Sequence, residues 1–210
     1  DNPTNLFKWT ANGDAGSDWT ISEVTNFTEE EILEGLLANS KYKPVESGKI
    51  YNIVNMGYGT VIYENTNGNQ VRCQSADKSK FSQYWRIINE NGKYYIQNVL
   101  SERYIKKQNG AFSQIYSTSA TKSASANGFT LSKTDNDTEY TYAIVDQNPA
   151  GLHCDASSNG VGWYYTDNNN SIWGFQPVKV TEEEIAEARK SYVEYEALSK
   201  NLSAYNTHMK

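Results

Sequence analysis

A large aromatic residue returns every 44 positions along this chain: Trp85, Phe129 and Trp173. Each closes a short strand-like run: Gln83-Tyr84-Trp85-Arg86-Ile87, Gly128-Phe129-Thr130-Leu131 and Ile172-Trp173-Gly174-Phe175. A second marker keeps step with the first. Tyr51-Asn52-Ile53-Val54-Asn55 returns as Tyr94-Tyr95-Ile96-Gln97-Asn98 and again as Tyr142-Ala143-Ile144-Val145-Asp146, at offsets of 43 and 48. A fixed period marks one supersecondary unit copied three times, because a single unit cannot bury its own apolar face.

The stretch 46–180 reads as short strands parted by Asn-Gly pairs: Asn67-Gly68, Asn91-Gly92, Asn109-Gly110, Asn127-Gly128 and Asn159-Gly160. Asn and Gly both tolerate positive φ, so such pairs between apolar alternations predict hairpins. No helix is expected inside this stretch. An aromatic content of 13% supplies core material for an ordered chain. Roughly four strands per unit gives about twelve, and three such units closing into a barrel with a hairpin cap make an all-β fold, a β-trefoil of three ~44-residue repeats. Propellers typically need at least four blades. An immunoglobulin-like sandwich would leave the threefold period unexplained.

A longer repeat surrounds the short one. Trp9 and Trp19 stand ten apart, as do Trp163 and Trp173, and the pairs are offset by 154. Each pair leads through a short strand into an acidic helix start, Thr28-Glu29-Glu30-Glu31-Ile32 and Thr181-Glu182-Glu183-Glu184-Ile185. Thr28 and Thr181 are N-cap candidates with Glu31 and Glu184 as the return arms of capping boxes. The acidic first turns also suit the positive end of a helix dipole. The first helix offers Ile32, Leu33, Leu36 and Leu37 to one face and ends before Pro44. The second is expected from Glu182 to about Asn206, with Ile185, Ala188, Tyr192, Tyr195 and Leu202 near one stripe. The expected organisation is a terminal hairpin of a preceding module copy over 1–27, a linker helix over 28–45, the β-trefoil over 46–180 and a C-terminal helix over 181–210. The opening Asp1 to Leu6 runs straight into strand-like sequence, which reads as a piece of a longer tandem array.

Net charge is −6, yet residues 46–178 hold eleven acidic and eleven basic residues, so the excess lies in the flanks. Nucleic-acid binding needs a basic patch, and none is visible. No apolar run approaches the ~20 residues of a membrane helix. Cys73 and Cys154 sit at non-equivalent positions of the first and third repeats. They are either a pair or two separate buried thiols.

Gln83-Tyr84-Trp85 is a Gln-x-Trp motif, and with the threefold period it resembles the ricin B-type β-trefoil lectins. The resemblance covers residues 46–180. Its equivalents here are Asn127-Gly128-Phe129 and Ser171-Ile172-Trp173, with Ser17-Asp18-Trp19 in the flank. It implies a sugar-binding module of the kind appended to secreted enzymes. It also implies, in each active repeat, an Asp after the second strand, an aromatic platform and an Asn or Gln. A sugar stacks its apolar ring face on an aromatic, while its hydroxyls need fixed acceptors and amide donors. At the Asp position the first repeat has Tyr63 and Glu64, and the second has Lys106 and Lys107, which cannot accept hydrogen bonds. The third has Cys154 and then Asp155, one residue late. The third repeat is therefore the expected carbohydrate site, with Asp155, Asn159, Trp163, Tyr165 and Asn169. Strand alternation would put Trp163 and Tyr165 on one side. The alternative makes Trp163 a core residue, as its echo at Trp9 implies. Asn168-Asn169-Asn170 reads most simply as a turn.

Catalysis finds no signature. His153 neighbours Cys154, but adjacent strand residues face opposite ways. Nothing marks a carboxylate pair among Glu64, Glu90, Glu102, Asp146 and Asp155. There is no phosphate loop, zinc spacing or calcium loop. The expectation is a non-catalytic carbohydrate-binding module of a secreted multidomain protein, extracellular or at the cell surface. Its partners would be a glycan or polysaccharide and neighbouring domains of the same chain, with no cofactor, metal, nucleic acid or membrane. The competing expectation is a spacer or protein-interaction trefoil with no sugar site.

Overall fold

A computed structural model describes residues 6–11, 19–24, 28–66, 69–108, 114–136, 139–155 and 159–208. The chain divides into two units, Asp1–Asn39 and Ser40–Lys210. In the first, β1 (Leu6–Ala11) pairs antiparallel with β2 (Trp19–Val24), Leu6 opposite Val24 and Ala11 opposite Trp19. Helix α1 (Glu29–Asn39) follows. Its capping box is closed: Thr28 N–H donates to Glu31 Oε2 at 2.8 Å, and Glu31 N–H donates back to Thr28 Oγ1 at 3.2 Å.

The second unit carries the three repeats. The first contributes β3 (Ile50–Asn55), β4 (Val61–Asn65), β5 (Gln70–Gln74) and β6 (Trp85–Glu90). The second contributes β7 (Lys93–Asn98), β8 (Tyr104–Lys106), β9 (Ser117–Ser119), the single turn α2 (Ala124–Asn127) and β10 (Thr130–Lys133). The third contributes β11 (Thr141–Gln147), β12 (Ala150–Asp155), β13 (Gly160–Tyr165) and β14 (Ile172–Pro177), and α3 (Glu182–His208) ends the unit. First and fourth strands form a barrel: β3–β6, β6–β7, β7–β10 through Tyr94 and Phe129, β10–β11, β11–β14, and β14 back to β3. Second and third strands form the hairpins β4–β5, β8–β9 and β12–β13. Those hairpins meet in a triangle, Gly160 on Arg72, Gln70 on Ser117 and Gly162 on Ile115. The sequence period thus becomes a threefold arrangement in space.

Alternation along the barrel strands sends Tyr51, Ile53, Ile96 and Ile144 inward to meet Trp85, Phe129 and Trp173, all fully buried. Trp85 opens β6, Phe129 immediately precedes β10 and Trp173 is the second residue of β14, so the repeating aromatics begin runs rather than close them. Ahead of each comes one helical turn: Phe81–Gln83, α2 or Asn169–Ser171. These turns correct the expectation of no helix. At three or four residues they are too short to print a 3.6-residue period. Each ends on a fully buried polar residue, Gln83, Asn127 or Ser171, again 44 apart. Gln83 and Asn127 tie the turn back to main chain: Gln83 Nε2 donates to Ser75 O at 3.0 Å and Asn127 Nδ2 to Ile105 O at 3.0 Å.

Of the Asn-Gly pairs, Asn91-Gly92 is the expected hairpin between β6 and β7, with φ of 51° and 75°. Asn159 (φ 51°) precedes β13. Asn127-Gly128 instead ends α2, a correction that follows from the burial of Asn127. Asn67-Gly68 and Asn109-Gly110 lie outside the described residues. The turn after the first strand also repeats. Gly59 (φ 67°) donates to Asn55 O, and 43 residues on Glu102 (φ 60°) donates to Asn98 O.

Helix α3 has the second capping box, Thr181 N–H to Glu184 Oε2 at 2.7 Å and Glu184 N–H to Thr181 Oγ1 at 3.2 Å. Its first turns dock on the trefoil. Ile185 is 1% exposed and packs with Tyr84 and Val99. Glu182 pairs with Arg86 at 2.6 Å, and Arg189 donates to Val99 O at 2.7 Å while pairing with Glu102 at 2.8 Å. The expected stripe holds for Ile185, Ala188 and Tyr192, which are buried or half-buried, but Tyr195 and Leu202 are exposed. A 27-residue helix is about 40 Å long, and it outruns the surface it packs on.

Candidate functional site

The β12–β13 ladder organises the third repeat. Asp155 faces Gly160 at one end, and Ala150 faces Tyr165 at the other. Five residues of strand separate these ends by roughly 17 Å. Asp155 and Asn159 therefore belong to one end of the ladder, Tyr165 and Asn169 to the other, and the five expected site residues do not form one cluster. Trp163 lies between, 9% exposed and part of the core, so its ring face is turned away from solvent. Alternation would pair it with Tyr165 on one side. It fails because β13 ends there: Tyr164 and Tyr165 are both exposed, at 40% and 43%, and Thr166 N–H already turns to Pro149 O at 3.0 Å.

The Tyr165 end is held by a polar network. Asn168 caps the following turn by accepting from Asn170 N–H at 2.9 Å. Ser171 Oγ donates to Tyr165 O at 2.6 Å. Its proton is thereby committed, so His153 Nδ1, 2.9 Å from the same Oγ, is the donor and carries the imidazole proton. The His153 ring packs against Tyr164 with centroids 4.8 Å apart. Burial pushes its pKa below the ordinary value, partly opposed by Asp155. Cys154 faces the other way, into the core, where it meets Cys73 thiol to thiol beside Thr60 Oγ1, 3.7 Å from Cys154 Sγ. That contact, followed by burial, pushes the Cys73 thiol well up.

Asn170 joins this turn to the first repeat. Its carbonyl accepts from Asn55 Nδ2 at 2.8 Å, and its Nδ2 donates to the hydroxyl of exposed Tyr58 at 2.8 Å. Gly57 makes the approach possible, since a Cβ there would stand 2.0 Å from Asn170 Oδ1. Beside this junction opens a cleft of about 900 Å³. Met56, Thr141 and Ile172 are among its lining residues, and Lys133, Asp135, Asn136, Asp167 and Asn169 give it polar groups. A smaller cleft of about 320 Å³ is lined by Pro149, Tyr165, Thr166 and Asp167. Thr166 and Asp167 are common to both, so an exposed aromatic and a set of hydroxyl, amide and carboxylate groups share one surface. Tyr165 and Asn169 were legible as site candidates. Tyr58, Asp135 and Asp167 were not, because they lie in turns and inter-repeat loops that carry no period, and neither was Lys133, which ends β10.

The first repeat uses its equivalent acid internally. Glu64 is buried, accepts from Ser101 Oγ and Thr118 Oγ1, and lies 3.4 Å from Arg103 Nε. Lys106 is exposed, and Lys107 N–H donates to Ala126 O at 2.7 Å. Asp146 accepts from Gln108 N–H at 2.7 Å and Tyr116 Oη at 3.0 Å. Among the described residues, no three His, Cys, Asp or Glu side chains are grouped to hold a metal ion. Among the same residues, no helix is long and apolar enough to cross a membrane.

No protein-family model matches the sequence, and no curated protein does. Solved structures do match. A Macrolepiota procera ricin B-like lectin, solved in complex with lactose, gives a TM-score of 0.56 at 16% identity, over 64% of this chain and 99% of its own. The Rhizoctonia solani agglutinin gives 0.53 at 20% identity, over 64% and 99%. A GlcNAcα1-4Gal-releasing endo-β-galactosidase from Clostridium perfringens gives 0.54 at 14% identity, over 65% of this chain and 34% of the enzyme. With the closed barrel and the triangular cap, these likenesses establish that this chain has the ricin B-type β-trefoil fold.

Proposed function

We propose that the chain is a non-catalytic carbohydrate-binding module whose ligand lies on the Tyr165 end of the third repeat. The observation that carries this is the exposed Tyr165 ring beside Thr166, Asp167 and the polar cleft. A pyranose stacks its apolar face on a tyrosine, and its hydroxyls donate to a carboxylate and exchange hydrogen bonds with an amide. Asp167 and Asn169 supply those groups, and Tyr58, fixed by Asn170, offers a second aromatic edge. Asp155 and Asn159 would serve a separate subsite at the far end of the ladder, with Trp163 supporting the hairpin from the core. The lactose in the Macrolepiota lectin complex supports a sugar as ligand class.

Secretion, an extracellular or surface location and attachment to further domains, including tandem copies, complete this reading. Binding by one such site would be weak and would gain from multiple copies. A spacer function is favoured by two observations: Glu64 is consumed inside the fold, and α3 is docked through Arg189 on Glu102. A glycan array with the 210-residue chain, followed by calorimetry on the best hit, separates the two. Saturable binding lost in both Tyr165→Ala and Asp167→Asn supports the sugar site. Binding that survives both moves the site elsewhere, and no binding by a folded chain favours the spacer.

A further inference from the structure

Helix α3 changes character halfway along. Ile185, Arg189 and Tyr192 engage the trefoil, and Tyr192 also donates to Glu196 at 2.9 Å. From Val193 onward the large apolar side chains are open. Val193, Tyr195, Leu198, Leu202 and Tyr205 are 61–68% exposed. Four of them, Tyr195, Leu198, Leu202 and Tyr205, follow a 3-4-3 spacing and so form one continuous stripe on the helix. A helical segment of this length without packing is marginal in water, so an open stripe of two tyrosines and two leucines calls for a partner.

The order of the stripe identifies that partner. Tyr-Leu-Leu-Tyr reads the same in both directions, with equal spacings about its centre between Leu198 and Leu202. Two identical helices laid antiparallel would set Tyr195 against Tyr205 and Leu198 against Leu202 twice over. That is the self-complementarity of a twofold, isologous interface. The flanks permit it. Ser199 and Asn201 beside the stripe are uncharged. Glu194, the charged residue on its flank, would stand opposite position 206 of the second copy and roughly 18 Å along the axis from the other Glu194, so no like charge meets across the seam. Covering these side chains on both helices would bury roughly 1,000 Å², the lower limit for a specific interface. We infer that a second copy of this chain covers the Tyr195–Tyr205 face, giving a weak antiparallel α3-to-α3 dimer. The arrangement sets two trefoils at opposite ends of the helix pair, and it stands whether or not the trefoil binds sugar.

Sedimentation equilibrium on the full 210-residue chain tests it. The expected result is a reversible, concentration-dependent shift from monomer to dimer. Leu198→Lys should raise the dimer dissociation constant by more than about tenfold, with the melting of the trefoil unchanged because position 198 is exposed. Register is read by cross-linking. A mixture of Leu198→Cys and Leu202→Cys chains should join to each other, and Leu198→Cys chains alone should not. A monomer at every concentration overturns the proposal, as does a dimer indifferent to Leu198→Lys. Efficient self-joining of Leu198→Cys would show parallel pairing and overturn it too. A monomeric chain that binds phosphatidylcholine vesicles through this face would assign the stripe to a lipid surface instead.

Discussion

Trp85 and Trp173, two repeats apart, make the same hydrogen bond: each indole N–H donates to a main-chain carbonyl of its own repeat's second strand. Trp85 Nε1 reaches Ile62 O at 3.0 Å, and Trp173 Nε1 reaches Leu152 O at 2.9 Å. The bond ties the barrel to the cap inside the first and third repeats. Phe129 holds the equivalent place in the second repeat with no N–H to give. Trp173→Phe keeps a ring that the position type accepts but orphans a buried carbonyl, so it should cost about 1–3 kcal/mol beyond any cavity term. Phe129→Trp should cost a similar ~1–3 kcal/mol by overpacking. Urea unfolding followed by far-ultraviolet circular dichroism measures both, and a neutral Trp173→Phe would show that the bond contributes nothing net.

The repeat was legible because its markers are core residues, and a core shared three ways repeats its demands. Tyr51-x-Ile53 and its copies had to alternate inward, and the two Thr-Glu-Glu-Glu starts had to cap helices. What escaped was everything set by element ends. The single turns before Trp85, Phe129 and Trp173 are too short to show a period. Trp163 and Tyr165 share a strand parity, yet one is core and the other surface, because β13 ends at Tyr165. Lys133, Asp135 and Asp167 meet at one cleft only because a strand end and loops of different repeats converge there, and no spacing in the sequence records that convergence. The α3 stripe divided for a comparable reason. Sequence periodicity gives a helix face but not where the supporting surface stops.

His153 makes stability depend on pH in a defined direction. Its ordinary pKa of 6.5 is lowered in the fold, chiefly by burial, so the unfolded chain takes up the proton more readily. Its contribution to stability is therefore complete above about pH 6.5 and is lost as the pH falls through the lower folded value. Denaturation midpoints of the parent and of His153→Gln should diverge above about pH 6.5 and converge on acidification. Parallel profiles would mean that His153 does not titrate differently in the two states.

Gly57 connects packing to the candidate sugar site. Its missing Cβ leaves room for Asn170, which in turn holds the Tyr58 hydroxyl at 2.8 Å. Gly57→Ala should displace the amide and release Tyr58, at a modest stability cost of about 1–2 kcal/mol. If the cleft binds glycan, affinity should fall although Tyr58 itself is unchanged, because its ring is no longer held in place. Calorimetry with the array hit checks this. Unchanged affinity with a displaced Asn170 would exclude Tyr58 from the site.

Docking of α3 rests on one buried aliphatic side chain and a few exposed ion pairs. Exposed pairs such as Arg86–Glu182 and Arg189–Glu102 contribute only about 0–1 kcal/mol each. Ile185, buried against Tyr84 and Val99, should contribute most of the rest. Truncating it to alanine removes buried methylenes and leaves a cavity, a loss of about 2–4 kcal/mol. That loss should fall on the docked helix and not on the barrel, whose closure from β3 round to β14 does not include α3. Amide hydrogen exchange resolves the two. In Ile185→Ala, protection should drop across 185–192 and persist at Ile53, Ile96 and Ile144. A uniform drop would mean that the helix and the trefoil unfold as one cooperative unit, and unchanged protection would assign the docking energy to the arginines.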